Sequence, residues 1–145
     1  MAESCAFCEI ADGRRRQEVV HADESVVALL CEPPAVWGHV LVVPRRHVAD
    51  VWEIEPGELA AVTAAAKRVA DALRVTVDAE GISLRQNSGD ASGQDVFHFH
   101  LHVIPRHEGD PLGRACVWGV PPWTPPEGGD ERRRAVADAI RAALG

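Results

Sequence analysis

Several common features are missing from this 145-residue chain, and each absence excludes a class of protein. No apolar run approaches the roughly 18 residues of a membrane span, and no charged-then-apolar leader opens the sequence, so we expect a cytoplasmic protein without membrane partners. Positive charge is not in excess. The 15 basic and 22 acidic residues give a net charge of −7, which argues against nucleic acid as a partner. Repeats and long linkers are also absent, and the length predicts one domain, residues 1–145.

Disulfides are not expected either, because a cytoplasmic location keeps thiols reduced. The four cysteines are therefore interpreted as thiols or metal ligands. Cys5 and Cys8 form a C-x-x-C pair, which is typical of zinc or redox sites. The redox interpretation needs a thioredoxin-like βαβ context, and the sequence pattern does not indicate one. Cys31 and Cys116 have no partner motif and are interpreted as buried or free thiols.

The order of predicted elements indicates an α+β domain with an antiparallel sheet of about five strands, one long helix and a C-terminal helix. Apolar runs predict strands before the histidine-rich segment at 19–20, 26–30, 39–44 and 82–86. The long helix is predicted to begin at 55–58, where acidic residues favour a first turn. Its apolar stripe at helical spacing is Leu59, Val62, Ala66, Val69 and Leu73.

The chain changes character after the core segment of about residues 5–106. Residues 107–129 are rich in Gly and Pro and contain Trp118 and Trp123, so we expect an irregular segment over the surface. The two tryptophans are interpreted either as part of a substrate pocket or as cover for the core. Residues 130–144 are predicted to form the C-terminal helix, with the aspartate at its first position as N-cap.

The run from Gln94 to Arg106 is the most informative part of the sequence. His98, His100 and His102 alternate with apolar residues, and this period of two predicts a β-strand with the imidazoles on one face. Neutral imidazole can act as a nucleophile, a proton carrier or a metal ligand. A metal-binding or merely solvated histidine strand is the alternative interpretation. The opposite strand face would carry Phe97, Phe99, Leu101 and Val103.

This run resembles the signature of the histidine triad (HIT) family of nucleotide hydrolases and transferases. Residues 38–47 are similar to the family's Gly-His-apolar-Pro-Lys-Arg-His segment, and Asn87 followed by Gly93 and Gln94 is similar to its phosphate loop. The resemblance covers about residues 5–106 and is greatest to the zinc-containing bacterial hydrolases of the Hint-like branch. It implies a HIT-like fold, a nucleotide substrate and a homodimer.

The resemblance also implies separate roles for the histidines. His100 would attack the α-phosphate of a nucleoside phosphoramidate or dinucleoside polyphosphate and form a nucleotidyl intermediate that water hydrolyses. His102 would contact the phosphate or the leaving group, His98 would orient the site, and His39 would support the triad from a neighbouring strand. A phosphorylase or transferase stays open as an alternative, because the sequence does not identify the acceptor.

Contacts to phosphate and ribose are expected from the loop before the histidine run. By the resemblance, these contacts come from Asn87, Gly93, Gln94 and Asp95. Relatives often carry a hydroxyl residue at the position of Asp95, and a carboxylate repels phosphate unless it is protonated or turned away. Asp95 is therefore interpreted either as a binding residue or as a solvated loop acid.

The ribose and base pockets are where this sequence departs from its relatives. Phe7, Ile10 and Leu29 match the apolar base pocket, with plain core packing as the alternative. Cys31 stands where relatives carry a ribose-binding aspartate, and a thiol is a poor acceptor for two hydroxyls. Glu32 follows it but is predicted on the opposite strand face. A specialised enzyme with a non-adenosine substrate, or a non-catalytic nucleotide-binding module, therefore stays open.

A structural Zn²⁺ site is the cofactor that the resemblance implies. Some relatives combine an N-terminal C-x-x-C with the histidine that ends the Pro-Lys-Arg-His segment and the first histidine of the triad. The matching residues here are Cys5, Cys8, His47 and His98. Four protein ligands leave no open coordination position, so the zinc would be structural. The alternatives are free core thiols, or a metal-storage or metal-sensing protein built on the histidine strand.

Two short basic runs stand out in this acidic chain, Arg14–Arg16 and Arg132–Arg134. They are interpreted as solvated surface, with the steering of anionic substrates as the alternative.

Overall fold

The computed structural model of the protein describes residues 4–113 and 124–145. Five strands are present in this part of the chain: β1 Val19–Ala22, β2 Val26–Leu30, β3 Val40–Pro44, β4 Gly81–Arg85 and β5 Leu101–Arg106. Three α-helices accompany them: α1 Ala6–Ala11, α2 Pro56–Thr76 and α3 Gly129–Leu144. The strands form one antiparallel sheet in the order β1-β2-β3-β5-β4. The predicted α+β class and the central position of β3 are confirmed.

Both faces of the sheet are buried at β2 and β3, and these two strands alternate between two apolar cores. On β2, Val26, Ala28 and Leu30 face the larger core, whereas Val27 and Leu29 face the smaller one. Residues of α2 and α3 complete the larger core, and residues of α1 complete the smaller core. The near-continuous apolar sequence of β2 and β3 follows from this two-sided burial. The functional site lies on the face that α1 covers.

The long helix α2 confirms the helical pattern in the sequence. Glu55 is its N-cap and forms a capping box with Glu58, so the helix begins where the acidic residues predicted it. The stripe at Val62, Ala66 and Val69 is buried against the sheet, because these side chains recur on one helical face. The helix α3 contributes buried residues to the same core.

The histidine run is less regular than the sequence predicts, because β5 begins only at Leu101. Before that point the backbone N–H of Phe99 donates to Val48 O at 2.7 Å, so the chain bonds to the loop after β3 and not to a strand. The side chains still alternate. Phe99 and Leu101 are buried in the larger core, but Phe97 is 46% exposed and does not share their environment.

Two further expectations differ from the structure. The helix α1 was not predicted, since its six residues are too few to show a period. The helix α3 begins at Gly129 with Gly128 as N-cap, so Asp130 lies in the first turn, where it pairs with Arg133. Cys116, together with Trp118 and Trp123, lies outside the described residues. Among the described helices, none is long and apolar enough to cross a membrane.

Candidate active site and metal cluster

A cavity of about 150 Å³ lies between α1 and the sheet. It brings together residues that are far apart in the sequence, because α1, the end of β2, β3 and the histidine run all reach its wall. Among the predicted site residues, its wall contains Phe7, Ile10, Cys31, Asp95, His100 and His102. The apolar part comes mainly from α1, and the imidazoles come from the histidine run.

His100 has its ring orientation fixed by the backbone. Its Nδ1 lies 2.8 Å from His98 O. A carbonyl oxygen only accepts, so the proton of the neutral ring is on Nδ1 and the lone pair is on Nε2. Burial lowers the pKa of His100, although the His98 carbonyl and Asp95 oppose this shift. Phe7 packs edge-on against the ring, with centroids 5.3 Å apart. The site therefore holds a neutral imidazole with Nε2 as its basic atom.

His39 and His102 form a buried pair, and one chain of hydrogen bonds determines the tautomer of each ring. The backbone N–H of Ala35 donates to His39 Nδ1 at 3.0 Å, so the proton of neutral His39 is on Nε2. That nitrogen lies 2.8 Å from His102 Nδ1 and donates to it. The proton of His102 must then be on Nε2. Burial lowers the pKa of His39 to about 3 and the pKa of His102 to about 2, so both rings are neutral at pH 7.

His39, His100 and His102 thus offer complementary groups. His100 supplies a lone pair on Nε2, and His102, which lines the same cavity, supplies an N–H on Nε2. The two rings are in edge contact, with centroids 5.1 Å apart. His39 is fully buried, does not line the cavity and is hydrogen-bonded to His102, so it is a candidate positioning residue. A nucleophile beside a hydrogen-bond donor is the arrangement that a displacement at phosphorus needs.

A third environment, formed by His47 and His98, is a cluster with two thiols. Cys5 Sγ lies 3.4 Å from His98 Nδ1, and Cys8 Sγ lies 3.5 Å from His98 Nδ1 and 3.3 Å from His47 Nδ1. All four ligand atoms lie within 4.8 Å of one another. His98 Nε2 lies 2.8 Å from Pro44 O, so its proton is on Nε2 and its Nδ1 lone pair faces the sulfurs.

The spacing of this cluster fits a tetrahedral metal ion. With metal–sulfur and metal–nitrogen bonds of about 2.3 and 2.0–2.1 Å, adjacent sulfur and nitrogen ligands would be roughly 3.5–3.6 Å apart. The observed separations of 3.3–3.5 Å are close to this value. Burial, followed by the neighbouring Cys5, raises the pKa of Cys8 to about 11, so this thiol needs a bound cation to become a thiolate at neutral pH. The cluster could therefore hold a metal ion.

The loop residues from Asn87 to Gln94 have a different location from the imidazoles. Three residues that were predicted to contact phosphate or ribose do not line the cavity in the described part of the chain: Asn87, Gly93 and Gln94. Gln94 is buried; its Oε1 accepts from Gly89 N at 2.7 Å, and its Nε2 donates to Ala49 O at 2.7 Å. Gly93 has a φ of +90°, which favours glycine. These contacts shape the loop that leads into Asp95.

Asp95 lies beside the predicted nucleophile. One of its carboxylate oxygens is 3.9 Å from His100 Nε2 and accepts from the Val96 N–H at 3.0 Å. The side chain is 49% exposed, so it is partly solvated at the mouth of the cavity. Both interpretations of Asp95, as a binding residue and as a loop acid, are compatible with this location.

The wall at the predicted ribose position differs from the sequence expectation. Cys31 and Glu32 both line the cavity, because β2 ends at Leu30 and strand alternation does not extend to Glu32. Cys31 Sγ is 3.6 Å from Pro33 O, and burial, followed by Asp95 and Glu32, raises the pKa of Cys31 to about 12. The wall therefore carries a neutral thiol beside a carboxylate.

Other differences concern the apolar pocket. Leu29 is fully buried in the smaller core and is not in the cavity wall. Leu41 is in the wall and was not predicted there. It lies two residues after His39 in an extended segment, and this spacing could have placed both side chains on one face. Arg15 and Gln17 also line the cavity. Arg15 belongs to the basic run Arg14–Arg16, but the sequence did not place either residue at the cavity, because their positions depend on the turn after α1.

The HIT domain family model matches residues 13–109. The chain therefore belongs to the HIT family. A zinc-bound histidine triad family protein from Mycobacterium smegmatis has a similar structure, with a TM-score of 0.81, 34% identity, and coverage of 97% of this chain and 93% of that one. A hypothetical histidine triad nucleotide-binding protein from Sulfolobus tokodaii has a TM-score of 0.82, 30% identity, and coverage of 97% and 91%. Adenylylsulfatase HINT3 of Arabidopsis thaliana is 30% identical over 118 residues, which cover 81% of this chain and 57% of that protein.

Proposed function

We propose that the protein is a nucleotide hydrolase or nucleotidyl transferase that acts at the α-phosphorus through His100. The observation that carries this proposal is the hydrogen bond from His100 Nδ1 to His98 O, which leaves the lone pair on Nε2 in the cavity. The relatives support the substrate class, since one is named a nucleotide-binding protein and another an adenylylsulfatase.

The chemistry assigns one step to each ring. The Nε2 lone pair of His100 forms a phosphorus–nitrogen bond, and the bond to the leaving group breaks with its electron pair. The leaving group is the amine of a phosphoramidate, whose nitrogen takes up a proton from solvent as it departs, or the nucleoside phosphate portion of a dinucleoside polyphosphate. The Nε2–H of His102 stabilises the charge on the phosphoryl oxygens or on the leaving atom. Water then attacks the phosphorus and loses a proton to solvent, which releases the nucleoside monophosphate and regenerates neutral His100 with its proton on Nδ1.

We also propose that the metal held by Cys5, Cys8, His47 and His98 is zinc and that it is structural. The ion would join ligands from three parts of the chain. Four protein ligands leave no coordination position for substrate, so its role would be structural. The zinc-bound relative supports the identity of the metal. On this chain, Phe7 lies between the two cysteines and packs against His100, so the cluster holds a wall of the cavity in place.

The test is product formation from nucleoside phosphoramidates, dinucleoside polyphosphates and sugar nucleotides. We expect wild type to release nucleoside monophosphate and His100→Ala to lose at least about 10³-fold in kcat while it still binds nucleotide. His21→Ala is the matched control, because His21 pairs with Asp23 on the surface, outside the cavity. Turnover by His100→Ala at the wild-type rate would overturn the proposal.

A non-catalytic nucleotide-binding module is the second candidate, and the cavity wall favours it in one respect. Cys31 offers a neutral thiol where a carboxylate would hold two hydroxyls. If wild type binds nucleotides but releases no product from any compound, this candidate replaces the first. Product release from a non-adenosine compound alone would instead indicate a specialised enzyme.

The homodimer and the cytoplasmic location remain proposals from the family. One observation supports a dimer: β4 is an edge strand of the sheet, and Leu84 on it is 57% exposed. Light scattering after size-exclusion chromatography tests it, and we expect twice the monomer mass. A monomer mass at micromolar concentration would contradict the dimer.

A further inference from the structure

A second cleft of about 310 Å³ adjoins the catalytic cavity. The two share Gln17 and Glu32 as wall residues, so the cleft begins where the cavity opens. Its other walls come from the chain before β1 and from the first turns of α3. Arg16 and Arg134, one from each basic run of the sequence, both line it.

Three arginines and three carboxylates line the cleft, so their formal charges balance, and the ion pairs decide which arginines are left over. Arg133 Nε is 2.9 Å from Glu32 and its guanidinium also pairs with Asp130. Arg141, outside the cleft, pairs with Glu18 at 2.6 Å. Each of the three carboxylates of the cleft thus has an arginine partner, although Arg141 also pairs with Asp138 at 2.8 Å.

Two arginines of the cleft do not take part in these ion pairs. Arg16 and Arg134 are exposed, and neither has an acidic partner among residues 4–113 and 124–145. A guanidinium group donates two parallel hydrogen bonds to a phosphate group, and it does so at any physiological pH. Arg16 and Arg134 are therefore the groups of this cleft that can bind an anion.

The size of the catalytic cavity gives an independent reason to expect ligand in the cleft. Sites for small molecules and cofactors are usually about 300 Å³ or larger, and the cavity has about half of that volume. A nucleotide with its α-phosphorus at His100 therefore extends beyond the cavity. The adjoining cleft, across Gln17 and Glu32, is the space that can receive it.

We propose that this cleft is a second anion subsite, which binds a phosphate group that the substrate carries away from the phosphorus attacked by His100. The proposal rests on the proposed function and specifies its substrate class. Two sources have the same chemistry, a phosphate in the leaving group and a phosphate on the ribose. The subsite would make the protein select doubly phosphorylated nucleotides over simple monophosphate derivatives.

The test compares three substrates that differ in the second phosphate. One is an adenosine 5′-phosphoramidate with an uncharged amine, one is its 3′-phosphorylated form, and one is a dinucleoside polyphosphate. For the double variant Arg16→Gln/Arg134→Gln, we expect kcat/KM to fall about tenfold or more for whichever phosphorylated substrate uses the cleft. For the uncharged amine substrate we expect a change below about twofold. The substrate affected identifies the source of the phosphate.

The control variant is Arg14→Gln/Arg132→Gln, which removes the same charge outside the cleft; Arg14 pairs with Asp12 at 2.9 Å. It should change kcat/KM by less than about twofold for every substrate. Equal losses for both double variants, or equal losses for all three substrates, would overturn the subsite in favour of general steering or structural damage.

Binding measurements separate failure of the subsite from failure of the proposed function. In His100→Ala, adenosine 3′,5′-bisphosphate and diadenosine polyphosphate are compared with adenosine 5′-monophosphate by calorimetry. We expect one of the doubly phosphorylated ligands to bind about tenfold or more tightly than the monophosphate, and Arg16→Gln/Arg134→Gln to remove that preference. Equal affinities would overturn the subsite even if the wild type turned over its substrates. A preference for a doubly phosphorylated ligand, together with no turnover by the wild type, would retain the subsite and reject the proposed enzyme.

Discussion

His98 and His100 are only two residues apart, yet they present opposite ring nitrogens to their surroundings. His98 donates from Nε2 to Pro44 O and turns Nδ1 to the two thiols. His100 donates from Nδ1 to His98 O and leaves Nε2 for the cavity. In each ring, a backbone carbonyl occupies one nitrogen and so determines what the other can do. The same residue type thus becomes a candidate metal ligand at one position and a candidate nucleophile at the next.

The two environments are also physically connected. Phe7 packs edge-on against both rings, with centroids 5.8 Å from His98 and 5.3 Å from His100. It belongs to α1, which begins between the two cysteines of the cluster. The candidate metal cluster can therefore position the candidate nucleophile without contacting substrate. Changes on the metal side should mainly affect stability, and changes on the catalytic side should mainly affect turnover.

The largest effect on stability is expected from loss of the cluster. In Cys5→Ser/Cys8→Ser, zinc content should fall well below half an equivalent, and the free energy of unfolding should decrease by several kcal/mol, since structural zinc contributes roughly 10–16 kcal/mol in zinc-finger peptides. Elemental analysis and chemical denaturation measure both quantities. Cys31→Ser is the control and should retain the zinc. A double variant as stable as wild type would show that the cluster does not stabilise the fold, which would contradict this prediction.

A smaller effect, confined to turnover, is expected from the His39–His102 pair. In His39→Leu the donor to His102 Nδ1 is lost, so His102 no longer has a fixed tautomer, and kcat should fall about 10²-fold with little change in KM. His39→Gln can accept from Ala35 N and donate to His102, and it should recover most of the activity. Equal losses in the two variants would mean that His39 fills space and does not orient His102.

The smallest effect is a pH dependence of stability from the same pair. Burial lowers the pKa of His39 to about 3 from its usual 6.5, so the unfolded chain binds a proton that the folded chain does not. Stability should therefore fall as the pH drops below about 6.5, by about 1.4 kcal/mol per pH unit for each such histidine. Denaturation at pH 6.5–4.5 should give a shallower slope for His39→Gln. Parallel slopes would show that His39 is not buried in the neutral form.

The ligand residues of the cluster could be predicted from the sequence, but the tautomers of the histidine rings could not. The cluster Cys5, Cys8, His47 and His98 was predictable by family resemblance, because ligand residues keep recognisable spacings. The tautomers of His98 and His100 were not, since they depend on backbone carbonyls that only the folded chain brings within 2.8 Å. The same limit applies to the start of β5, which is set by a contact with the loop after β3.

Turns were the other source of error. The prediction that Glu32 lies on the opposite strand face from Cys31 assumed that β2 continues, but β2 ends at Leu30 and both side chains reach the cavity. Periodicity carries information only within a regular element. The strands of the core and α2 were therefore predictable from the sequence, whereas the cavity wall after β2 and after α1 was not.

The central claim, that His98 and His100 expose opposite ring nitrogens, can be measured without any substrate. Long-range ¹H–¹⁵N NMR of ¹⁵N-histidine-labelled, zinc-loaded protein at pH 7.5 reports the protonation of each ring nitrogen. We expect His100 with its proton on Nδ1, and His98 with its proton on Nε2 and its Nδ1 bound to metal. His100→Gln and His98→Gln assign the signals. A proton on Nε2 of His100, or a doubly protonated ring, would contradict the account.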